Sequence, residues 1–236
     1  VDEAMLYNSE WLILYYDFEH NDNWTRVGFF YVDSVESIDE NTSRITAHDE
    51  TYKLNKYVDD FLESYSGEVT LGEFYHDLLD YCNCYYDTKE AEWRHYILNN
   101  VYHAIKTTGV EVAHFVAAIA PGFVHTNIDG DIVLDQYENT NKVVGIDEYA
   151  NLQYNAYYSD LVNKVRITSN NVVIGEDTHN YGENIYFISD NPLISTMDTS
   201  PTLNGLADTI LSAYRAIPQY RPAELQFLIL PSPNIS

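Results

Sequence analysis

Apolar positions along this chain change period more than once. In VGFFYVDSV, Phe29, Tyr31, Asp33 and Val35 fall on one face of an extended chain and Phe30, Val32 and Ser34 on the other, with the β-branched and aromatic density of a strand. The polar cluster Asp39, Glu40, Asn41 and Thr42 breaks the run, and Arg44 to Ala47 is expected to return antiparallel. Asp49 is placed to cap a short turn carrying Tyr52 and Leu54. Upstream, WLILYYDF from Trp11 to Phe18 reads as a strand buried on both faces, and Asn21, Asp22 and Asn23 mark a turn before Trp24.

After Lys56 the period becomes helical. Thr70 and Glu73 form the T-x-x-E of a capping box, and Leu71, Phe74, Leu78, Cys82 and Tyr85 recur every three or four residues. A second box, Thr108 with Glu111, opens a helix carrying Val112, Phe115, Val116 and Ile119 that Pro121 and Gly122 close. Between them, Asp87 to Ile105 shows no period that fixes element boundaries. FVHTNIDGDIVL then reads as a hairpin in which Asp129 and Gly130 supply the positive backbone angles of a tight turn.

Strand-like runs follow at Val143 to Ile146, Leu161 to Thr168, Val172 to Ile174 and Ile185 to Ser189. Ser200 and Pro201 start a third helix with Leu203, Leu206, Ala207, Ile210, Leu211 and Tyr214 on one stripe. Pro218 ends it, and Glu224 to Leu230 is a last strand. Strands, then helices, then strands argue an α+β fold with two sheet-based lobes, residues 1–56 and 141–236, around a helical insert with a hairpin at 57–140.

Several segments resemble the tail-hub proteins of long-tailed phages and prophages. The first is G-x-F-x-V-D-S-V with I-T-A-x-D-x-x-Y-K-L-x-K, present as Gly28, Phe30, Val32, Asp33, Ser34 and Val35, then Ile45, Thr46, Ala47, Asp49, Tyr52, Lys53, Leu54 and Lys56. The second, Thr107 to Leu134, is similar in its helix, its Gly122 turn and its hairpin with Asp129 and Gly130 at the tip. DNPLI, with Asp190, Asn191 and Pro192, and the triplet Tyr220, Arg221 and Pro222 follow in the same order. Pro121 departs from the family, where a second glycine is common, and Asp87 to Ile105 matches nothing in it.

The resemblance implies two β-barrel-like tube lobes per subunit, the first with room for more chain before residue 1. It implies a homotrimeric ring at the tail tip or baseplate that joins the tail tube to the tip around the genome exit channel. Its partners would be the distal tail protein, the tape measure protein and a tail-tip or fibre protein, in a virion tail assembled in the host cytoplasm. The quoted motif residues would be structural, with Arg221 pairing a buried acidic or carbonyl group. Family members often carry a peptidoglycan-cleaving module further along, so the hub region of a peptidoglycan or carbohydrate hydrolase is the alternative.

Charge sharpens this picture. Lys and Arg total 12 against 37 Asp and Glu, a formal charge of −25, which opposes stable binding to nucleic-acid phosphates or an anionic lipid face. Around a genome channel such acidity would repel phosphate over about 8 Å at physiological salt, and it also serves solubility. No apolar run approaches a membrane span, and the start VDEAMLYNSE lacks a basic region followed by an apolar one, so no membrane anchor is expected. The 22 tyrosines suit both half-wet strand faces and protein interfaces.

Catalytic and metal chemistry finds few candidates. His76, His95, His103, His114 and His125 reproduce no H-E-x-x-H or cysteine and histidine zinc spacing. Asn127, Asp129, Gly130, Asp131 and Asp135 fail the register of a calcium loop. No G-x-S-x-G and no phosphate-cradling glycine loop is present. Cys82 and Cys84 stand one residue apart on a predicted helix, where their side chains diverge, and are expected to be free thiols. The expectation is no catalytic, cofactor-binding or metal-binding residue.

Overall fold

The computed structural model describes residues 11–16, 24–39, 42–65, 67–87, 89, 91–101, 106–136, 149–156, 162–169, 172–178, 185–197, 203–216 and 223–229. The first sheet is antiparallel in the order β1-β2-β3, with β1 at Trp11–Tyr16, β2 at Thr25–Asp39 and β3 at Thr42–His48. β1 meets β2 from Trp11 opposite Tyr31 to Tyr16 opposite Thr25. The distal half of β2 continues as an arm with β3, where Glu36–Asp39 and Thr42–Ile45 are exposed.

This corrects the reading of the first strand as buried on both faces. Leu14 and Tyr15 are 44% and 48% exposed, because among the described residues β1 is an edge strand of a three-stranded sheet. A continuous apolar run records hydrophobicity but not how many layers cover it.

The turn after β3 forms as its cap requires. A 3₁₀ turn spans Glu50–Leu54, and Asp49 accepts from the Thr51 amide at 3.1 Å. The helical middle follows with α1 (Asp59–Ser64), α2 (Leu71–Tyr81) and α3 (Gly109–Ile119). Both capping boxes close reciprocally, Thr70 with Glu73 and Thr108 with Glu111. Leu71, Phe74, Leu78 and Cys82 are buried on the expected stripe of α2, whereas Tyr85 lies beyond the helix end and is 67% exposed.

The segment without a period is read by distant partners. It holds a 3₁₀ turn at Glu92–His95 and β5 (Ile97–Asn99), which pairs antiparallel with β4 (Glu68–Thr70). Three-residue strands carry too few positions for a period-two signal.

β6 (Gly122–Thr126) and β7 (Ile132–Gln136) form the expected hairpin, but its connection differs from a tight two-residue turn. Asn127 to Asp131 make a five-residue loop in which the Asn127 side chain accepts from the amides of Asp129 and Asp131, both at 2.9 Å. Gly130 alone takes a positive φ there, +92°. The Asx-type bonds of Asn127 take over the work assigned to Asp129.

The C-terminal part contains a sheet ordered β10-β9-β11, from β9 (Lys164–Ser169), β10 (Val172–Thr178) and β11 (Ile185–Ser189). β11 runs parallel to β9 and β10 antiparallel to it. β8 (Tyr149–Ala156) pairs antiparallel with β12 (Ala223–Ile229). Between them come α4 (Pro192–Thr196) and α5 (Leu203–Ala216), whose Leu206, Ala207, Ile210 and Leu211 are buried. The expected strand at Val143 to Ile146 and the Ser200 cap lie outside the described residues.

The architecture is therefore mixed helix and sheet. Among the described residues the sheets have two or three strands and none closes into a barrel. One buried cluster runs from Leu54 and Phe61 through Phe74, Val116 and Ile119 to Ile167, Leu193 and Ile210. Each such side chain contributes about 1.5–3 kcal/mol relative to exposure, so the helical middle is the anchor against which the sheets pack.

Candidate functional site

The motif residues of the first sheet and of the hairpin tip meet. β2 carries a register skip at Val27, since Leu14 pairs with Gly28 and Tyr15 with Arg26. An inserted residue of this kind turns the following side chain. Arg26 and Phe29, an odd number of residues apart, thereby both reach the loop between β6 and β7. Arg26 Nη1 donates to Asp129 Oδ1 at 2.8 Å. A Cβ on Gly130 would stand 2.9 Å from Phe29 Cβ, so close approach and positive φ both favour glycine at this position. Gly28 lies under the ring of Phe30, which would come within 2.9 Å of a Cβ there.

Asp33 and Tyr52 meet at one imidazole. His48 stacks on Tyr52 with ring centroids 4.3 Å apart, and its Nε2 stands 4.0 Å from Asp33 Oδ2. Beside it, the Thr51 hydroxyl also donates to the Asp49 carboxylate. These contacts fasten the foot of the arm to the 3₁₀ turn.

Beneath that turn lies an ionic node that the motif analysis missed. Glu50 is 0% exposed. Its Oε1 accepts from Lys53 Nζ at 2.7 Å and from the Tyr85 amide at 2.7 Å, while Oε2 has no hydrogen-bond partner among the described residues. Lys53 Nζ also donates to Tyr31 Oη at 3.1 Å and to the Asn83 carbonyl at 3.0 Å. It lies 4.6 Å from the Tyr31 ring centroid and 5.0 Å from that of Tyr85. Burial by itself lowers the Lys53 pKa, but the bonds to Glu50 and Tyr31 outweigh it and hold the ammonium above its ordinary value. The signal was the i, i+3 spacing of Glu50 and Lys53 on a capped turn.

A second polar group sits at the base of the hairpin. Asp135 accepts from Lys89 Nζ at 2.5 Å and binds His125 Nε2 at 2.8 Å. Burial raises its carboxyl, and the Lys89 and His125 bonds more than reverse this, leaving it below the usual range. Gly122 passes so close to β7 that a Cβ would be 2.3 Å from the Asp135 carbonyl oxygen.

Asn191 joins the two halves of the core. Its Oδ1 caps α4 through the Leu193 amide at 3.0 Å, with Pro192 in the first turn, and its Nδ2 donates to the Phe115 carbonyl on α3 at 2.9 Å. Asp190 before it takes φ +53°. Tyr220, Arg221 and Pro222 lie outside the described residues.

The thiols differ in place from expectation. α2 stops at Tyr81, Cys82 caps it, and Cys84 follows beyond the turn; both are buried and free. Burial, with Cys82 and Glu50 nearby, pushes the Cys84 thiol up to about 12. A thiol held protonated in this way is a poor nucleophile and metal ligand. Among the described residues no group of three or more His, Cys, Asp or Glu side chains is placed to hold a metal ion, and no helix is long and apolar enough to cross a membrane.

The arrangement fastens one element to another: arm to turn, hairpin tip to sheet, α4 to α3. No family model and no curated protein sequence matches the chain. Among solved structures, the fold is similar to the crystal structure of the prophage MuSo2 43 kDa tail protein from Shewanella oneidensis, with a TM-score of 0.50, 16% sequence identity, and coverage of 85% of this chain and 60% of that chain. The likeness is one of fold, and the chain spans 60% of that protein's length.

Proposed function

We propose that the chain is a structural component of a phage-type tail, acting as the hub that joins the tail tube to the tip. The observation that carries this reading is the shared fold over 85% of the chain with a prophage tail protein. It agrees with the ordered motif resemblances, and the quoted motif residues that are described act as mechanical joints. In this reading three copies form a ring around the genome exit channel and each contributes two tube-like lobes. The distal tail protein, the tape measure protein and a tail-tip or fibre protein are its neighbours. The chain performs no catalysis of its own.

Electron microscopy of assembled tails carrying an epitope on this protein tests the proposal. The expected result is label at the tip and threefold density in the averaged particle. Absence from purified particles would overturn the tail reading. A position in the tube, or sixfold density, would overturn the hub while leaving the tail role.

A further inference from the structure

A cavity of about 230 Å³ opens where α3 runs into β6. α3 supplies His114 and Ala118, β6 supplies Phe123 and Val124, and Tyr186 of β11 forms another wall. The volume is below the roughly 300–1,000 Å³ of pockets for drug-sized ligands, which limits an occupant to about one ring. Side chains of successive strand residues point to opposite faces. A cavity touching Gly122, Phe123 and Val124 together therefore lies along the edge of β6. Among the described residues β7 is the strand partner of β6, so the peptide groups on its other edge are directed away from that ladder.

The lining selects by charge. Among the described residues it contains no carboxylate, lysine or arginine, so a cation finds no counter-ion in this part of the wall. A chain of −25 disfavours an anion through its summed field. What suits the site is a neutral ring with an apolar face and a polar rim. The Phe123 ring is 44% exposed and is backed by His125 at 5.1 Å between centroids, which Asp135 holds in turn. A wall fixed before the ligand arrives loses little side-chain entropy on binding.

We propose that this corner binds a single neutral hexopyranose unit. The apolar face of the sugar lies against Phe123 and Tyr186, and its hydroxyls meet His114 and the outward peptide groups of β6. This goes beyond the tail role and does not depend on it.

Saturation-transfer NMR on the full chain is the test. The probes are methyl β-D-glucopyranoside, methyl β-D-galactopyranoside and N-acetyl-D-glucosamine, each at about 10 mM so that a millimolar site is filled. Transfer to the ring protons of at least one sugar is expected. It should fall about fivefold or more in Phe123→Leu, as loss of an aromatic contact implies, and in Ala118→Phe, which fills the cavity from α3. Circular dichroism identifies a variant that fails to fold, and the other then decides. No transfer from all three sugars overturns the proposal, as does a signal unchanged in the folded variants. Neither result bears on where the protein sits in a particle, so the two proposals fail separately.

Discussion

The helical middle and the hairpin arm carry similar apolar residues to opposite ends. In α2, Leu71, Phe74 and Leu78 are each 0% exposed. In the arm, Ile38 is 55% and Ile45 37% exposed, and β3 is the strand paired with the distal half of β2. A helix satisfies its backbone internally and commits one stripe to whatever packs against it. A two-stranded ribbon has two faces and two outer edges, and is marginal in water without further cover. The middle is thus built to be stable within one chain, whereas the arm gains from contact with a surface outside it.

The sharpest way to break this comparison is at the centre of the middle. Phe74→Ala removes a fully buried ring that packs 5.6 Å from Phe61 and 5.3 Å from Tyr65. It should cost about 3–5 kcal/mol in urea unfolding. A loss near that of an exposed site would mean that the middle is not the anchor.

Next in size is the node that ties the arm's foot to the middle. Glu50→Ala leaves Lys53 without its buried counter-charge and should cost about 3 kcal/mol or more. Replacing both, as Glu50→Gln with Lys53→Met, should recover much of the loss, because the pair's desolvation is removed along with its attraction. A double variant as unstable as the single one would show that the Asn83 carbonyl and Tyr31 hydroxyl, deprived of Lys53, dominate.

The hairpin tip ranks third. Gly130→Val forces a β-branched residue to φ +92° and drives its Cβ toward Phe29, so a loss of about 1–3 kcal/mol is expected. Thermal melting checks it. Little change would indicate that the loop from Asn127 to Asp131 moves away from β2, and Arg26→Ala would then be silent as well.

These sites also show what was legible from sequence. Thr70 with Glu73 and Thr108 with Glu111 announce helix starts because capping is local, so both boxes form in the structure. The Asp49 cap and the hairpin after Gly122 were readable for the same reason. The exposure of Leu14 and Tyr15, the pairing of β4 with β5 and the gathering of Arg26 with Asp129 depend on residues far apart in the chain, and periodicity carries no such information. Of the candidate motif residues, sequence gave the positions but not the contacts: nothing in Asp33 or Tyr52 alone indicates that His48 would stand between them. Glu50 was missed because a carboxylate in an acidic chain draws no notice until its burial is known.

A fourth, smaller effect is pH-dependent. The Asp135 carboxyl is held below its ordinary value in the folded chain, chiefly by Lys89 and His125 acting against burial. The stabilisation is present above the unfolded value of about 3.9 and is lost as pH falls through the lower folded value. Wild-type protein should therefore lose more stability between about pH 5 and pH 2 than Asp135→Asn does. Parallel acid limbs for the two proteins would remove Asp135 from the account.

The smallest effect on folding is expected in the arm and on the edge strand β1, and there the comparison becomes functional. Ile38→Ser and Tyr15→Ser alter side chains that are 55% and 48% exposed, so each should change unfolding by no more than about 0.5 kcal/mol. If the sheet face is covered in a ring of copies, the same substitutions remove apolar area from a subunit contact, where a few central side chains dominate binding. Sedimentation of each variant beside the wild-type chain, over a range of concentrations, separates the two roles. Unchanged melting with weakened self-association would place these residues at the contact. Unchanged association would leave the arm as a solvent-facing hairpin, and the proposed trimer would then need a different surface.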